Sequence, residues 1–254
     1  MASIDELRKI IDTSSKIVFF GGAGVSTESN IPDFRSEEGL YQAKEEYGRS
    51  PETLISHSFF RSQPEMFFDY YKNKMIYPEA KPNKAHLALA QLEKAGNLIG
   101  IVTQNIDGLH QLAGSKNVVE LHGSVHRNYC MDCKEYYDLS YILDPANCGD
   151  KSGDKAHVPY CSKCGGVVKP DVVLYEESLN EEDIERGIEW ISMADTMIVG
   201  GTSLVVHPAA GLLRYFQGDN LVLINKTPTS YDSKASWVSH DAIGSVLGSL
   251  MNTP

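Results

Sequence analysis

Four short apolar runs recur along the chain, and each ends in a small or polar residue. They occupy residues 16–20, 98–103, 196–201 and 220–225. Between them lie longer stretches with the apolar spacing of helices. Short buried strands that alternate with helices are typical of a parallel sheet covered by helices on both faces. The pattern therefore predicts an α/β fold.

The ends of the four predicted strands point to a common crevice. In open parallel sheets, ligands bind beyond the carboxyl ends of the strands. The residues at or just after the ends of the four runs should therefore lie around one binding site; they are Ala23, Gln104, Thr202 and Asn225.

Two stretches interrupt the alternation. Residues 37–81 are rich in aromatic residues and have helical patterns, and residues 126–168 contain all the cysteines. We expect these two modules to form a smaller domain inserted into a Rossmann-like sheet domain, which comprises residues 1–36, 82–125 and 169–254.

Charge and hydropathy limit the classes of partner. The 254 residues carry a formal net charge of −11, which argues against direct nucleic-acid binding because phosphate contacts need clustered Lys and Arg. No apolar run approaches the ~20 residues of a membrane helix, and the polar start of the chain is typical of an amphipathic helix rather than a signal peptide. We expect a cytoplasmic protein without a membrane partner.

Four of the five cysteines form two Cys-x-x-Cys pairs, Cys130 with Cys133 and Cys161 with Cys164. Two such turns supply a tetrahedral set of thiolates for Zn²⁺, and four thiolates leave no open position for water. The alternatives are a redox pair, which needs only one motif, or unrelated buried cysteines. We therefore expect a structural zinc ion, with Cys148 as a spare thiol.

A glycine-rich turn follows the first predicted strand. Backbone N–H groups of residues 22–27 could hold a pyrophosphate at the start of a predicted helix. However, Thr27 stands where the common dinucleotide fingerprint has its third glycine. A turn that only redirects the chain remains an open alternative.

A longer set of motifs resembles the sirtuin family. Residues 22–36 are similar to the sirtuin signature, residues 103–110 to the second motif and residues 120–124 to the third. The two cysteine pairs and residues 201–206 and 223–225 follow in the family's order. The chain is identified as a member with a bacterial-type single catalytic core.

The resemblance implies an activity. Sirtuins consume NAD as a co-substrate: nicotinamide leaves, and the acyl group of a lysine side chain moves to ADP-ribose. The chain is thus expected to be an NAD-dependent protein lysine deacetylase or deacylase, acting as a monomer on acyl-lysine proteins or peptides. The Rossmann-like domain would bind NAD.

The resemblance also assigns roles to residues. His122 matches the general base, and Asn105 and Asp107 match residues at the nicotinamide ribose. An alternative is that Asn105 and Asp107 only cap the next helix. The other positions that match NAD contacts are Ala23, Thr27, Phe34, Arg35, Gln104, Ile106, Thr202, Ser203, Asn225 and Ala242.

Residues 172–179 occupy the place of the family's substrate-peptide groove, with Val173 and Tyr175 expected in the acyl-lysine tunnel. An ordinary sheet strand is the alternative. Glu176 replaces a glycine that many members carry, and its charge suggests the hypothesis of a preference for basic peptides. Asn30 also replaces a common glycine, but Asn tolerates a positive φ. The helix before residue 81 lacks the Tyr-x-x-Arg pair that members preferring acidic acyl groups carry, since it offers Tyr70 and Asn73; the resemblance therefore implies a preference for acetyl and longer uncharged acyl groups over succinyl.

Two other functions compete with deacylation. A sirtuin-like mono-ADP-ribosyltransferase would share the first step and pass ADP-ribose to protein. A non-catalytic NAD or ADP-ribose sensor would not need His122, Asn105 and Asp107 together.

Overall fold

The computed structural model describes residues 3–33, 43–149 and 157–251. Its strands are β1 (Ile17–Gly21), β2 (Leu98–Thr103), β3 (Val118–Glu120), β4 (Gly123–Cys130), β5 (Tyr136–Tyr137), β6 (Val168–Val172), β7 (Thr196–Gly200), β8 (Asn220–Ile224) and β9 (Trp237–Ser239). Its α-helices are α1 (Ile4–Thr13), α2 (Pro51–Leu54), α3 (His57–Ser62), α4 (Pro64–Lys74), α5 (Lys84–Ala95), α6 (Leu109–Leu112), α7 (Leu139–Leu143), α8 (Glu181–Met193) and α9 (Ile243–Met251).

A six-stranded parallel sheet in the order β3-β2-β1-β7-β8-β9 forms the larger part of the molecule. One face is covered by α1, α5 and α9, and the other by α8 and the 3₁₀ segment Ala209–Tyr215. β1 is buried along its whole length because it lies in the middle of the sheet. The predicted Rossmann-like arrangement with helices on both faces is confirmed.

The first helix has the amphipathic character that the sequence predicts. The Ser3 side chain accepts a hydrogen bond from the Asp5 N–H at 3.1 Å, and the Glu6 carboxylate accepts one from the Ser3 N–H at 3.1 Å. These reciprocal bonds satisfy N–H groups that a helix start leaves unpaired. Leu7 and Ile11 lie one turn apart on the buried face, so α1 packs against the sheet.

A second, three-stranded antiparallel sheet in the order β5-β4-β6 belongs to a smaller lobe. Its core also includes aromatic residues of α3 and α4, namely Phe59, Phe60, Phe67, Phe68, Tyr70 and Tyr71. The predicted boundaries at 125/126 and 168/169 fall inside β4 and at the first residues of β6. The division into domains remains a prediction.

The glycine-rich segment differs from the predicted helix. Residues Ala23–Val25 and Thr27–Ser29 form two 3₁₀ turns, so the expectation of a helix immediately after the glycines is wrong. The physical reason is a tertiary contact, in which the Asn83 side chain donates to the Val25 carbonyl at 2.7 Å. In an α-helix, this carbonyl would instead accept the N–H of the residue four positions later. Asn30, at φ 62°, ends the second turn in the left-handed conformation that Asn tolerates.

Among the described residues, every helix is too short or too polar to cross a bilayer.

Candidate active site

A cavity of about 260 Å³ opens between the carboxyl ends of the large sheet and the smaller lobe. Its apolar wall comes from both lobes and includes Ile31, Pro32, Ile55, Met75, Ile106, Val173, Leu174 and Val206. Its polar wall includes Ser26, Gln104, Asn105, Asp107 and His122. The cavity therefore brings together sequence-predicted residues from three motifs: Ala23 from the first, His122 from the third, and Gln104, Asn105, Ile106 and Asp107 from the second.

The glycine-rich loop packs directly on the loop after β7. A Cβ atom on Gly22 would lie 2.9 Å from the Thr202 Cβ atom, and one on Gly24 would lie 2.7 Å from the Gly201 Cα atom. These distances are shorter than carbon–carbon contacts allow, so residues with side chains would push the two loops apart. Both glycines therefore have a packing role, whatever ligand the loop holds.

Ser26, which the sequence did not single out, connects Asn105 to Asp107. Its hydroxyl group donates to Asp107 Oδ2 at 2.6 Å and accepts from Asn105 Nδ2 at 3.0 Å. Ser26 is 1% exposed and Asn105 9% exposed, so the amide and the carboxylate are held in fixed positions. An amide and a carboxylate beside an apolar wall suit the carboxamide and the flat ring of nicotinamide.

Asp107 also bonds to the first residue of the next helix, although the N-cap of that helix is Gly108 and not Asp107 or Asn105, as the alternative proposed. Its Oδ1 accepts the Leu109 N–H at 2.9 Å, while its backbone carbonyl accepts from His126 Nε2 at 3.1 Å. Leu109 thus bonds one carboxylate oxygen of Asp107, and Ser26 bonds the other. Asp107 thus has a structural function and a position on the cavity wall at the same time.

His122 lies in the two-residue link between β3 and β4. Its Nδ1–H donates to the Gln104 carbonyl at 2.9 Å, and its own carbonyl accepts the Val173 N–H at 2.9 Å. Because a carbonyl oxygen can only accept, Nδ1 carries the proton and Nε2 carries the lone pair of the neutral ring. The geometry supports a base at Nε2.

Other predicted NAD contacts lie outside the cavity wall. Gln104 Nε2 donates to Thr202 Oγ1 at 3.2 Å, the Thr27 hydroxyl donates to the Gly24 carbonyl at 3.0 Å, and Asn225 Nδ2 donates to the Thr227 carbonyl at 2.7 Å. Ser203 is exposed, and Ala242 immediately precedes α9. Phe34 and Arg35 lie outside the described residues. All these assignments stay predictions.

Residues 173–177 line the cavity, but they are not a regular strand. β6 ends at Val172, and beyond it the backbone makes one hydrogen bond to the larger lobe at Val173 and two to the smaller lobe at Tyr175, before a turn at Glu176 and Glu177. Tyr70 and Asn73 do not contribute to the described cavity wall. Tyr70 packs edge-to-face against Tyr47 in the small-lobe core, and Lys74, Met75 and Tyr77 face the cavity instead.

The four paired cysteines converge at one point of the smaller lobe. Their sulfur atoms all lie within 4.8 Å of one another, with Cys130 and Cys164 at 3.4 Å and Cys133 and Cys161 at 3.6 Å. Tetrahedral Zn–S bonds of about 2.3 Å place sulfurs about 3.8 Å apart, so the set fits Zn²⁺. The Tyr137 hydroxyl group donates a hydrogen bond to Cys161 Sγ at 3.1 Å and so helps to orient this thiolate.

Comparisons with known proteins agree with this geometry. The model of the Sir2 family matches residues 22–208. The NAD-dependent protein deacetylase of Clostridium tetani is 61% identical over 245 residues, which are 96% of each chain. The NAD-dependent protein deacetylase of Cutibacterium acnes is 50% identical over 246 residues, 97% of this chain and 96% of the relative.

Solved structures give the same result. A Sir2 structure with a p53 peptide and NAD⁺ has a TM-score of 0.84 and 34% identity, and the match covers 98% of this chain and 97% of that one. Sir2Tm bound to a propionylated peptide matches with the same values. Since the family model spans more than half of the chain and these relatives align with nearly all of it, the chain belongs to the Sir2 family.

Proposed function

We propose that His122, Asn105 and Asp107 carry the catalytic work of this enzyme in the cavity between the two lobes. The chain is an NAD-dependent protein deacylase, with NAD as co-substrate and a structural zinc ion. Its substrates are acyl-lysine peptides, and the proposal extends to acyl-lysine proteins. The proposal also includes that the enzyme is a cytoplasmic monomer that binds neither nucleic acid nor membranes.

The single observation that carries the proposal is the hydrogen bond from His122 Nδ1–H to the Gln104 carbonyl. It directs the lone pair to Nε2, so His122 can accept a proton from a hydroxyl group. A histidine suits this role because its ordinary pKa lies near neutral pH. The chemistry that NAD supplies is an activated ribosyl carbon, at which nicotinamide is the leaving group.

Asn105 and Asp107 would orient the nicotinamide end of NAD. Their mutual fixation through Ser26 keeps the polar groups in place before the ligand binds, so little reorganisation is needed during the reaction. The surrounding apolar residues, among them Ile31, Pro32 and Ile106, would limit access of water to the reacting groups.

The test follows an acetyl-lysine peptide by mass spectrometry, with and without NAD, in the wild-type protein and in His122→Ala. We expect NAD-dependent loss of the acetyl mass with release of nicotinamide in the wild type, and a rate at least about 100-fold lower in the variant. Release of nicotinamide while the acetyl group stays on the peptide would instead indicate ADP-ribosyl transfer or NAD hydrolysis.

A further inference from the structure

The segment of residues 173–177 joins the two lobes along the edge of the cavity. The Val173 N–H donates to the His122 carbonyl at 2.9 Å, on the side of the large sheet. The Tyr175 N–H donates to the Ile55 carbonyl at 3.1 Å, and its carbonyl accepts the His57 N–H at 2.9 Å, on the side of the smaller lobe. Five residues therefore span both walls of the candidate substrate groove, which we call the groove segment.

Glu176 has an unusual backbone conformation within the groove segment. Its φ is 76°, in the left-handed region that residues other than Gly, Asn and Asp rarely adopt. A glutamate there needs compensating contacts. Its carboxylate supplies them: Oε2 accepts the Ser58 N–H at 2.8 Å, and Oε1 accepts the Ser58 hydroxyl at 2.9 Å.

Glu177 reinforces the same attachment. Its Oε1 accepts from His57 Nδ1 at 2.8 Å, while Oε2 accepts the Leu174 N–H at 2.9 Å and Lys169 Nζ lies at 3.1 Å. Burial alone would raise the pKa of the Glu177 carboxyl group, but the bonds from His57 and Leu174 and the charge of Lys169 outweigh it and lower the pKa. The carboxylate stays ionised and tied to α3 and β6.

We propose that Glu176 is a positioning residue of the substrate groove, an inference that rests on the proposed function. Its carboxylate fastens the groove segment to Ser58 and holds the left-handed turn, so the backbone that faces the acyl-lysine peptide is fixed before binding. This proposal is an alternative to the hypothesis that Glu176 offers its charge to basic residues of the peptide, since each carboxylate oxygen already accepts a hydrogen bond from Ser58 in the smaller lobe. Glu176 thus acts on peptide affinity through geometry rather than through charge.

The test compares Glu176→Asn with the wild type. Asn tolerates a positive φ but is too short to bond both groups of Ser58, so the substitution keeps the turn and removes the attachment. We expect the Kd of an acetyl-lysine peptide, measured by fluorescence anisotropy without NAD, and the peptide KM to rise about 3- to 10-fold. The KM for NAD and kcat should stay within about twofold.

A double-mutant cycle with Ser58→Ala separates the attachment from a general loss of structure. If the Glu176–Ser58 contact carries the effect, the double variant binds the peptide more tightly than the sum of the single losses predicts. Glu185→Gln, on the exposed face of α8, removes a charge elsewhere and should leave peptide binding unchanged. Thermal unfolding shows whether each variant is folded.

Two results would overturn the inference, in whole or in part. An unchanged peptide Kd in folded Glu176→Asn would overturn the whole inference, and full additivity in the cycle would overturn the role of the Ser58 hydroxyl group, because Ser58→Ala keeps the backbone N–H bond to Glu176. A third outcome, in which peptides with flanking Arg lose affinity in Glu176→Asn and neutral peptides do not, would assign the effect to charge. If the wild-type protein itself fails to deacetylate the peptide with NAD, the proposed function is wrong, whereas the binding cycle still tests the attachment.

Discussion

The contacts of Ser26 allow a specific prediction about the efficiency with which the enzyme uses NAD. In Ser26→Ala, Asp107 Oδ2 and Asn105 Nδ2 both lose the hydroxyl group that joins them. Leaving a buried polar atom such as Asn105 Nδ2 without a partner costs about 1–3 kcal/mol, and the half-buried Asp107 carboxylate would lose its fixed orientation. We expect kcat/KM for NAD to fall about tenfold, measured from initial rates of nicotinamide release at saturating peptide.

Ser62→Ala is a suitable control, because within the described part of the chain that side chain bonds only to carbonyl groups of its own helix, at Ser58 and Phe59. It should leave kcat/KM for NAD unchanged. An equal loss in both variants would mean that Ser26 contributes to folding and not to the orientation of Asn105 and Asp107.

At the scale of single residues, the sequence predicted those whose chemistry or spacing is distinctive. The cysteine spacing predicted the sulfur cluster, and the motif around His122 predicted a histidine at the cavity. Ser26 carries no such signal, since a serine in a loop has many uses. The partners of Glu176 were also hidden, because Ser58 lies 118 residues away in sequence.

At the scale of elements, the zinc-binding turns tie β4 to the segment before β6. Cys130 is the last residue of β4, and the Met131 N–H donates to the Val167 carbonyl at 2.9 Å. In Cys164→Ser the metal loses one of four thiolates. We expect loss of bound zinc and a lower Tm, because a structural zinc ion contributes directly to folding. Zinc content by mass spectrometry and thermal unfolding measure both effects.

Cys148 provides the matched control for the zinc prediction. Its sulfur lies 3.1 Å from Lys72 Nζ, outside the cluster of four cysteines that the described residues contain. Cys148→Ser should therefore keep full zinc content and nearly the wild-type Tm. If it lost as much zinc as Cys164→Ser, the assignment of ligands would be wrong.

Elements were easier to predict where local pattern and tertiary packing agree. The strands β1, β2, β7 and β8 are continuous apolar runs, and the observed limits differ from the predicted ones by one residue or less. The segment after β1 was harder because the Asn83 side chain, 58 residues away, takes the Val25 carbonyl. Local periodicity carries no information about such a partner.

At the scale of the whole molecule, the order of motifs predicted a parallel sheet with a second lobe, but it did not predict how the lobes close on the cavity. Ile55, Met75 and Leu174 line the cavity from the smaller lobe. Their positions depend on how the aromatic core packs α2 and α4 against β4 and β6. A sequence pattern gives the apolar faces of elements, whereas the contact between faces depends on shape.

We predict that two buried histidines, His86 and His110, make the stability of the whole protein depend on pH. His86 is 0% exposed and His110 is 1% exposed, and their ring centroids lie 4.8 Å apart. Burial lowers the pKa of His86 to about 4, although the charge of Asp107 opposes the shift. Burial and the neighbouring His86 also lower the pKa of His110 well below its ordinary value.

The sign of the effect follows from proton binding. Below about pH 6.5 the unfolded chain protonates both histidines, while the folded protein keeps them neutral, so acid favours unfolding. The contribution of His86 to the free energy of unfolding is fully present above about pH 6.5. Roughly 3 kcal/mol of it is lost as the pH falls to about 4. The loss from His110 adds to it.

His110→Phe isolates this contribution. Neither ring nitrogen of His110 has a hydrogen-bond partner within the described structure, and the ring already packs near Phe19 at 5.9 Å, so a phenyl ring suits the site. The variant should lose less stability than the wild type between pH 7.5 and pH 5, measured by urea unfolding at each pH.

His207→Gln, at an exposed position, should follow the wild-type curve. Parallel curves for the wild type and His110→Phe would show that acid sensitivity comes from other groups, and the buried pair would then not control stability.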